Sequence, residues 1–354
     1  MWPRNALTER LNLRWPILQA PMGSLSTPAL AAAVSNAGGL GGLGMWGYSA
    51  EDAERRIAGF RQMSAGGLNV NYPLWPEPRT SKEISEAMRA YLRTHYDAHK
   101  LGQVPEPQGA AGEVSSEHLA MLLRTKPELV SFHFGLPQPD AIDAIKSAGI
   151  YIISSATTVR EARILEERGV DAIIAQGTEA GGHRGTFAGA EMGAQAGLLA
   201  LLPQVVDAVK VPVIAAGGIA DGRQVAAAFM LGASGVQLGT AFLRCEEANV
   251  LDAHRAALRE ADEASTVVTD MITGRPARYI RNKLTDDLLA SGLKPVAFPT
   301  QYGLIAPLAQ TSDRELTPLF AGQSAGLGRD TTAAALVEAL ADATSRRLRA
   351  FIPM

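Results

Sequence analysis

Eight short apolar runs recur along the chain, set apart by polar or glycine-rich stretches: Ile17–Ala20, Leu40–Leu43, Gly67–Asn71, Leu129–His133, Tyr151–Ser154, Ala172–Ala175, Val213–Ala216 and Gly235–Leu238. Most are apolar at consecutive positions, the pattern of strands covered on both faces. Between them the apolar positions take helical spacing. Thr27 followed by Pro28 opens one helix as N-cap and first residue, and Gly38 closes it. Thr158-Val159-Arg160-Glu161 forms a capping box, with Gly169 at the far end. Gly149 and Gly232 end two further helices. The repeated unit of strand, loop, helix and glycine predicts a (β/α)8 TIM barrel. A doubly wound α/β sheet has the same rhythm, because strand count alone does not show closure.

Two regions break the pattern. Residues 74–114 stand between strands three and four. They hold a helical stretch, Lys82–His99, and a Pro/Gly/Gln-rich segment, Gly102–Gly112, read as an insertion on the barrel's edge. After strand eight, Glu246–Ala264 and Asp286–Ser291 have helical spacing and the chain between them is irregular. This predicts a smaller, mainly helical cap over 244–304. The barrel then comprises 1–243 and 305–354, and a last helix, Thr331–Phe351, packs back on it.

Composition narrows the function classes. A chain of 354 residues with 47% hydrophobic and 19% charged residues is long enough for a large core and ordinary for a globular protein. A net charge of −3 gives nucleic acid or an anionic membrane no basis for binding. The single cysteine, Cys245, excludes an internal disulfide framework and fits a reducing compartment. No run reaches the length of a membrane span, and Met1-Trp2-Pro3-Arg4-Asn5 lacks the features of a secretory signal. The expected location is the cytoplasm.

Chemistry concentrates at the C-terminal ends of the strands, where barrels of this kind place their sites. Strand one leads into Gln19-Ala20-Pro21-Met22-Gly23, strand two into Gly41-Gly42-Leu43-Gly44. Strand three ends at Asn69-Val70-Asn71, strand four at His133-Phe134-Gly135. Strand six runs into Gln176-Gly177-Thr178-Glu179-Ala180-Gly181-Gly182-His183-Arg184-Gly185, with four glycines, a carboxylate, a histidine and an arginine in ten residues. Strand seven ends in Ala216-Gly217-Gly218-Ile219-Ala220-Asp221-Gly222, and strand eight in Gln237-Leu238-Gly239-Thr240. The last two loops are the usual phosphate site of these barrels, where backbone N–H groups hold the anion. Gly217, Gly218 and Gly239 permit the close approach, and the Thr240 hydroxyl adds a donor. No lysine stands at a strand end, which disfavours a Schiff-base aldolase. No His/carboxylate cluster has metal-ligand spacing, which disfavours a metal hydrolase.

Together these motifs, with Gly322-Gln323-Ser324-Ala325-Gly326, resemble the nitronate monooxygenases, formerly called 2-nitropropane dioxygenases. The resemblance runs from about residue 7 to about residue 330, interrupted by 74–114. It implies FMN bound in a (β/α)8 barrel, and one-electron oxidation of alkyl nitronates by O2 to a carbonyl compound and nitrite, without reduced nicotinamide. It implies that Ala20, Pro21, Met22 and Gly23 touch the flavin ring through backbone, and that Asn71 and Gln176 hydrogen-bond the flavin or its ribityl chain. Gly181, Gly182, Gly217, Gly218, Gln237, Leu238, Gly239 and Thr240 would hold the ribityl phosphate region, and Ser324 would add a polar contact. His183 matches the family's active-site histidine, acting as base toward a nitroalkane or as hydrogen-bond donor to a nitronate.

Other residues carry competing readings. His133, at the end of strand four, is either a substrate-pocket residue or a hydrogen-bonded structural one. His95, His99, His118 and His254 lie on helical stretches and are expected to face solvent. Glu179 is expected to accept backbone N–H bonds, because a carboxylate repels an anionic nitronate. Arg184 either attracts the anion or positions the loop. Arg275, Arg278 and Arg281 read as a solvated or dimer-facing basic stretch, and Cys245 as a buried apolar residue. Small-molecule nitronate and O2 are the expected partners, and surface helices of such barrels often form a homodimer. Three alternatives stand beside this: an FMN-dependent enoyl-acyl-carrier-protein reductase, an NAD(P)H:quinone reductase, and a flavin-binding protein without catalysis.

Overall fold

The computed structural model describes residues 2, 4–189, 191–311 and 313–351. Its strands in chain order are β1 Ile17–Gln19, β2 Gly41–Gly44, β3 Leu68–Pro73, β4 Leu129–His133, β5 Tyr151–Ala156, β6 Ala172–Gln176, β7 Gly182–His183, β8 Val213–Ala216, β9 Gly235–Leu238, β10 Thr266–Thr269 and β11 Ala277–Ile280. Eight of them form one parallel sheet in the order β1-β9-β8-β6-β5-β4-β3-β2. The two ends of that order meet through a bridge between Leu18 and Leu40, where Gln19 N–H donates to the Leu40 carbonyl at 2.9 Å and Leu40 N–H to that of Ile17 at 3.0 Å. The sheet therefore curls round into a barrel with flanking helices, and all eight predicted strands are present.

The two faces of the strands feed two different cores. Leu18, Leu129, Ile153, Ile174 and Ile214 pack inside the barrel with Leu7 and Leu11. Ile17, Val130, Phe132, Ile152, Ile173, Val213 and Val236 pack outward against helices. Period-two alternation thus survives inside runs that are apolar throughout. The short helix Ala6–Arg10, capped by Asn5, carries Leu7 to the barrel's N-terminal end and plugs it. At the other edge the helix Ala333–Phe351 packs on Gly222–Met230, so closely that a Cβ on Gly222 would lie 2.5 Å from the Ala343 Cβ.

The region after strand eight is mainly helical, as expected, but also carries two strands. β10 and β11 pair antiparallel and β11 then pairs with β7, giving a three-stranded sheet. The sequence Thr266-Val267-Val268-Thr269 is β-branched throughout, which favours a strand once a partner is near. The 74–114 segment also differs from an isolated edge insertion. Its helix Lys82–Ala98 contributes Met88, Leu92 and Tyr96 to a core shared with Ile272, Tyr279, Leu288, Leu304 and Leu308. Tyr91 and Tyr96 donate their hydroxyls to the carbonyls of Asp287 (2.8 Å) and Leu304 (2.7 Å). Two segments far apart in sequence thus build one cover over the C-terminal ends of the barrel strands. Among the described residues no helix is long and apolar enough to cross a membrane.

Candidate active site

A cavity of about 440 Å³ lies at the C-terminal ends of the strands, beneath that cover. Among the described residues no Asp, Glu, Lys or Arg lines it. Six of its polar groups come from inward positions near the strand ends: Asn71 on β3, Ser131 and His133 on β4, Ser155 on β5, Gln176 on β6 and Gln237 on β9. Asn71 spends its amide hydrogens on the Ser131 carbonyl (3.1 Å) and hydroxyl (3.0 Å), leaving its amide oxygen for a ligand. The Gln237 amide oxygen is buried and finds no donor among the described residues. An unsatisfied buried acceptor of this kind costs about 1–3 kcal/mol and fits a site that a ligand donor completes.

On one side the loops after β8 and β9 make a cradle. Gly218 has φ +66°, a left-handed conformation that glycine accepts without a Cβ penalty. The N–H groups of Gly218, Gly239 and Thr240 find no acceptor among the described residues. The Thr240 hydroxyl accepts from Gly322 N–H at 2.9 Å, so its own hydrogen is free to donate. With no cation in the lining, an anion here would rest on neutral donors. Ser324 lines the cavity and also braces the cradle: its hydroxyl donates to the Gly218 carbonyl at 2.7 Å and accepts from Gln224 at 3.0 Å. Leu238 is buried with the outward core and does not line the cavity. Ala20, Pro21, Met22, Gly23, Gly181, Gly182 and Gly217 all line it. Gly181 is pinned by packing, since a Cβ there would lie 2.5 Å from the Gly322 nitrogen.

The glycine-rich loop after β6 is held from several directions. Gln176 donates to the His183 carbonyl (3.0 Å) and accepts from Gly185 N–H (2.7 Å), closing the loop on itself. Glu179 accepts Leu198 N–H at 2.8 and 2.9 Å, the structural role expected of it. Arg184 is 1% exposed and donates to the carbonyls of Gly177 (2.6 Å) and Gln176 (2.9 Å) and to Gln195. It fastens the loop and is withdrawn from the cavity. Burial, with Arg278 nearby, lowers its pKa to about 10, so it stays charged at neutral pH. Gly182–His183 forms β7 and pairs with β11, where Ala277 faces His183. The loop end is thereby a short strand, which its glycines conceal in the sequence.

His183 stands at the junction of barrel and cover. Its Nε2 lies 3.0 Å from the Thr273 hydroxyl, and its Nδ1 has no protein partner among the described residues. Burial, then His133, then Arg275 push its pKa down to about 3, so it is neutral near pH 7. Aromatic rings surround it: Phe298 at 5.2 Å between centroids, Phe320 at 5.7 Å, Phe134 at 5.8 Å and Trp46 at 6.4 Å. His133 has both ring nitrogens engaged. Nε2 donates to the His183 carbonyl (3.2 Å), and Nδ1 accepts from the Ser155 hydroxyl (3.0 Å). Burial and Arg275 lower its pKa to about 4. It holds His183 in place and has no ring nitrogen left for a substrate.

Two expectations are corrected here. His254 does not face solvent: it is 4% exposed, lines the cavity and donates to the Phe320 carbonyl at 2.9 Å. Its helix, Asp252–Glu260, turns that face toward the barrel. His95 and His118 are likewise half-buried, and only His99 is exposed. Arg275 and Arg278 are not a solvated patch. Arg275 stacks 3.8 Å from the Phe134 ring centroid and donates to the Thr186 carbonyl. Arg278 is 6% exposed and grips the Thr178 carbonyl through two nitrogens. Arg281 remains exposed, paired with Asp286 at 2.8 Å. Cys245 is buried, its thiol pKa pushed up to about 12 by desolvation. The sequence reading also missed Trp46, Thr273, Phe298, Tyr302 and Phe320. Trp46 stands two residues after the glycine-rich second strand and carried a positional signal. The others come from the cover, where nothing in the spacing marks which residues reach the barrel.

A family model described as nitronate monooxygenase matches residues 4–343. A probable nitronate monooxygenase of Staphylococcus aureus is 37% identical over 329 residues, covering 92% of each chain. Nitroalkane oxidase from Streptomyces ansochromogenes superposes with a TM-score of 0.91 at 37% identity, over 98% of this chain and 100% of that one. FabK from Thermotoga maritima is more distant, with a TM-score of 0.76 and 28% identity over 99% of this chain and 100% of that one.

Proposed function

Because this chain belongs to the nitronate monooxygenase family of flavin-dependent oxidoreductases, we propose that FMN fills the cavity and that His183 faces the nitronate or nitroalkane oxidised there. The observation that carries this reading is the union in one cavity of a glycine cradle with free N–H donors and a neutral histidine with a free ring nitrogen. FMN, when bound, supplies the electron acceptor that links the substrate to O2.

The residues divide the work. Gly218, Gly239 and Thr240 would hold the phosphate, with Ser324 and Gly217 shaping the turn and Gly181 and Gly182 lying alongside. Ala20, Pro21, Met22 and Gly23 would border the ring, and Asn71, Gln176 and Gln237 would meet its polar edge. The Phe134, Phe298, Phe320 and Trp46 side chains exclude water around His183, which strengthens its contacts with a charged substrate. Neutral His183 is suited to accept a proton from a nitroalkane at Nδ1, and His133 acts behind it by fixing its backbone. The division of the chain that goes with this takes 74–114 together with 244 to about 320 as a cover, supported by their shared core. Small-molecule nitronate and O2 are then the partners.

Aerobic turnover tests the proposal. With ethyl nitronate and no nicotinamide, the purified protein should consume O2 and release nitrite. NADPH oxidation dependent on an enoyl thioester or a quinone, with no nitrite from the nitronate, would favour the reductase alternatives.

A further inference from the structure

The hydroxyl of Thr273 is fully buried and sits at the centre of three polar groups: His183 Nε2 at 3.0 Å, the Arg275 carbonyl at 3.0 Å and the Tyr279 hydroxyl at 3.5 Å. A threonine hydroxyl has one hydrogen and two lone pairs. The Arg275 carbonyl can only accept, so it takes the hydrogen. Tyr279 is itself fully buried and meets no other acceptor than this oxygen among the described residues, at a distance that allows only a weak contact. With its one hydrogen on the Arg275 carbonyl, the hydroxyl turns a lone pair to His183 Nε2, which must then carry the ring proton.

From this bookkeeping we infer that Thr273 is a positioning residue that fixes His183 as the Nε2–H tautomer, so that Nδ1 meets the substrate with a lone pair. The inference rests on the proposed function for its consequence and on the hydrogen-bond geometry for its cause. His183 is held against rotation by the same surroundings: its carbonyl accepts from both Gln176 and His133, and its backbone pairs with β11. Thr273 and Arg275 come from the turn between β10 and β11, so the cover, and not the barrel, dictates which nitrogen is free.

The chemistry then balances as a simple transfer. The Cα–H bond of a neutral nitroalkane breaks, its electron pair delocalises onto the nitro group, and the proton passes to Nδ1. The products are a nitronate and an imidazolium, whose opposite charges favour one another. A nitronate supplied ready-made needs no such step. Thr273 therefore matters more for the neutral form of a substrate than for its anion.

Two measurements test this. The first is a long-range ¹H–¹⁵N correlation spectrum of flavin-loaded protein labelled at histidine, with His183 assigned by the signals lost in His183→Asn. A neutral ring protonated at Nε2 is expected, and a ring protonated at Nδ1 would overturn the inference. The second compares neutral nitroethane with ethyl nitronate. In Thr273→Val the ratio of the two kcat/KM values should fall against nitroethane by at least about tenfold, and Thr273→Ser should restore it. Equal losses on both substrates in the valine variant, without rescue by serine, would reduce Thr273 to a structural role and contradict the inference. A wild type inactive on both forms would sink the functional reading, while the spectrum would still decide the tautomer.

Discussion

At the scale of the residue, the site offers a neutral histidine with one ring nitrogen unpaired among the described residues. His183 lies against the cavity and four aromatic rings, and its pKa falls to about 3. A neutral imidazole is available as proton acceptor throughout the physiological range. Replacing it by asparagine keeps polarity but removes the base. His183→Asn should retain bound flavin and lose about 10²- to 10⁴-fold in kcat/KM for a neutral nitroalkane. Flavin absorbance after gel filtration, together with steady-state rates, checks both halves. His183 was legible in the sequence because its glycines and its place after the sixth strand mark a site. Its neighbours were less so. His133 looked equally suited to substrate or structure, and only the Ser155 hydroxyl and the His183 carbonyl decide the matter. Thr273 carries no signal in sequence, since its role exists only once the 273–279 segment meets the loop after β6.

At the scale of the element, the loop from Gln176 to Gly185 behaves as a unit because buried donors saturate its carbonyls. Arg184 provides two of them. Arg184→Met would leave the Gly177 and Gln176 carbonyls without those donors in a site that water does not reach freely. Denaturant unfolding should show a loss of ~3 kcal/mol, whereas an exposed arginine such as Arg281 should cost well under ~1 kcal/mol. The cradle element answers differently. Gly218→Ala adds a Cβ to a residue at φ +66° and brings it 3.1 Å from the Glu179 Cβ. The strain is about 1–2 kcal/mol and its relief shifts the Gly218 N–H out of the cradle, so flavin binding, followed by fluorescence, should weaken about tenfold. The strands and most helices were readable because their burial follows local periodicity. The cover was read only in part. Its helices had helical spacing, but β10, β11 and β7 are strands through mutual pairing, and a two-residue strand of Gly182 and His183 has no periodicity to read.

At the scale of the whole molecule, burial of histidines links stability to pH. His133 and His254 are lowered to about 4 and His183 to about 3, each chiefly by desolvation. Their unfolded value is about 6.5. Between these limits the unfolded chain binds more protons than the folded one, so stability falls as pH falls from about 6.5 toward 4. Each histidine contributes a slope of up to about 1.4 kcal/mol per pH unit in that window. Unfolding curves at pH 7, 6 and 5 should show this decline, and His254→Gln should flatten it without touching the barrel strands. A flat profile would mean that these rings are not desolvated. The barrel and the cradle were anticipated from the repeated β/α unit, whereas the joining of 74–114 to the later cover was not, because long-range packing leaves no local pattern. The central claim is that a nitronate, and not a nicotinamide, delivers electrons to a flavin in this cavity. Anaerobic mixing of the flavin-loaded protein with ethyl nitronate, and separately with NADPH, tests it most directly. The account predicts that the flavin absorbance changes promptly with the nitronate and stays unchanged with NADPH. Rapid bleaching by NADPH, with no response to the nitronate, would contradict it.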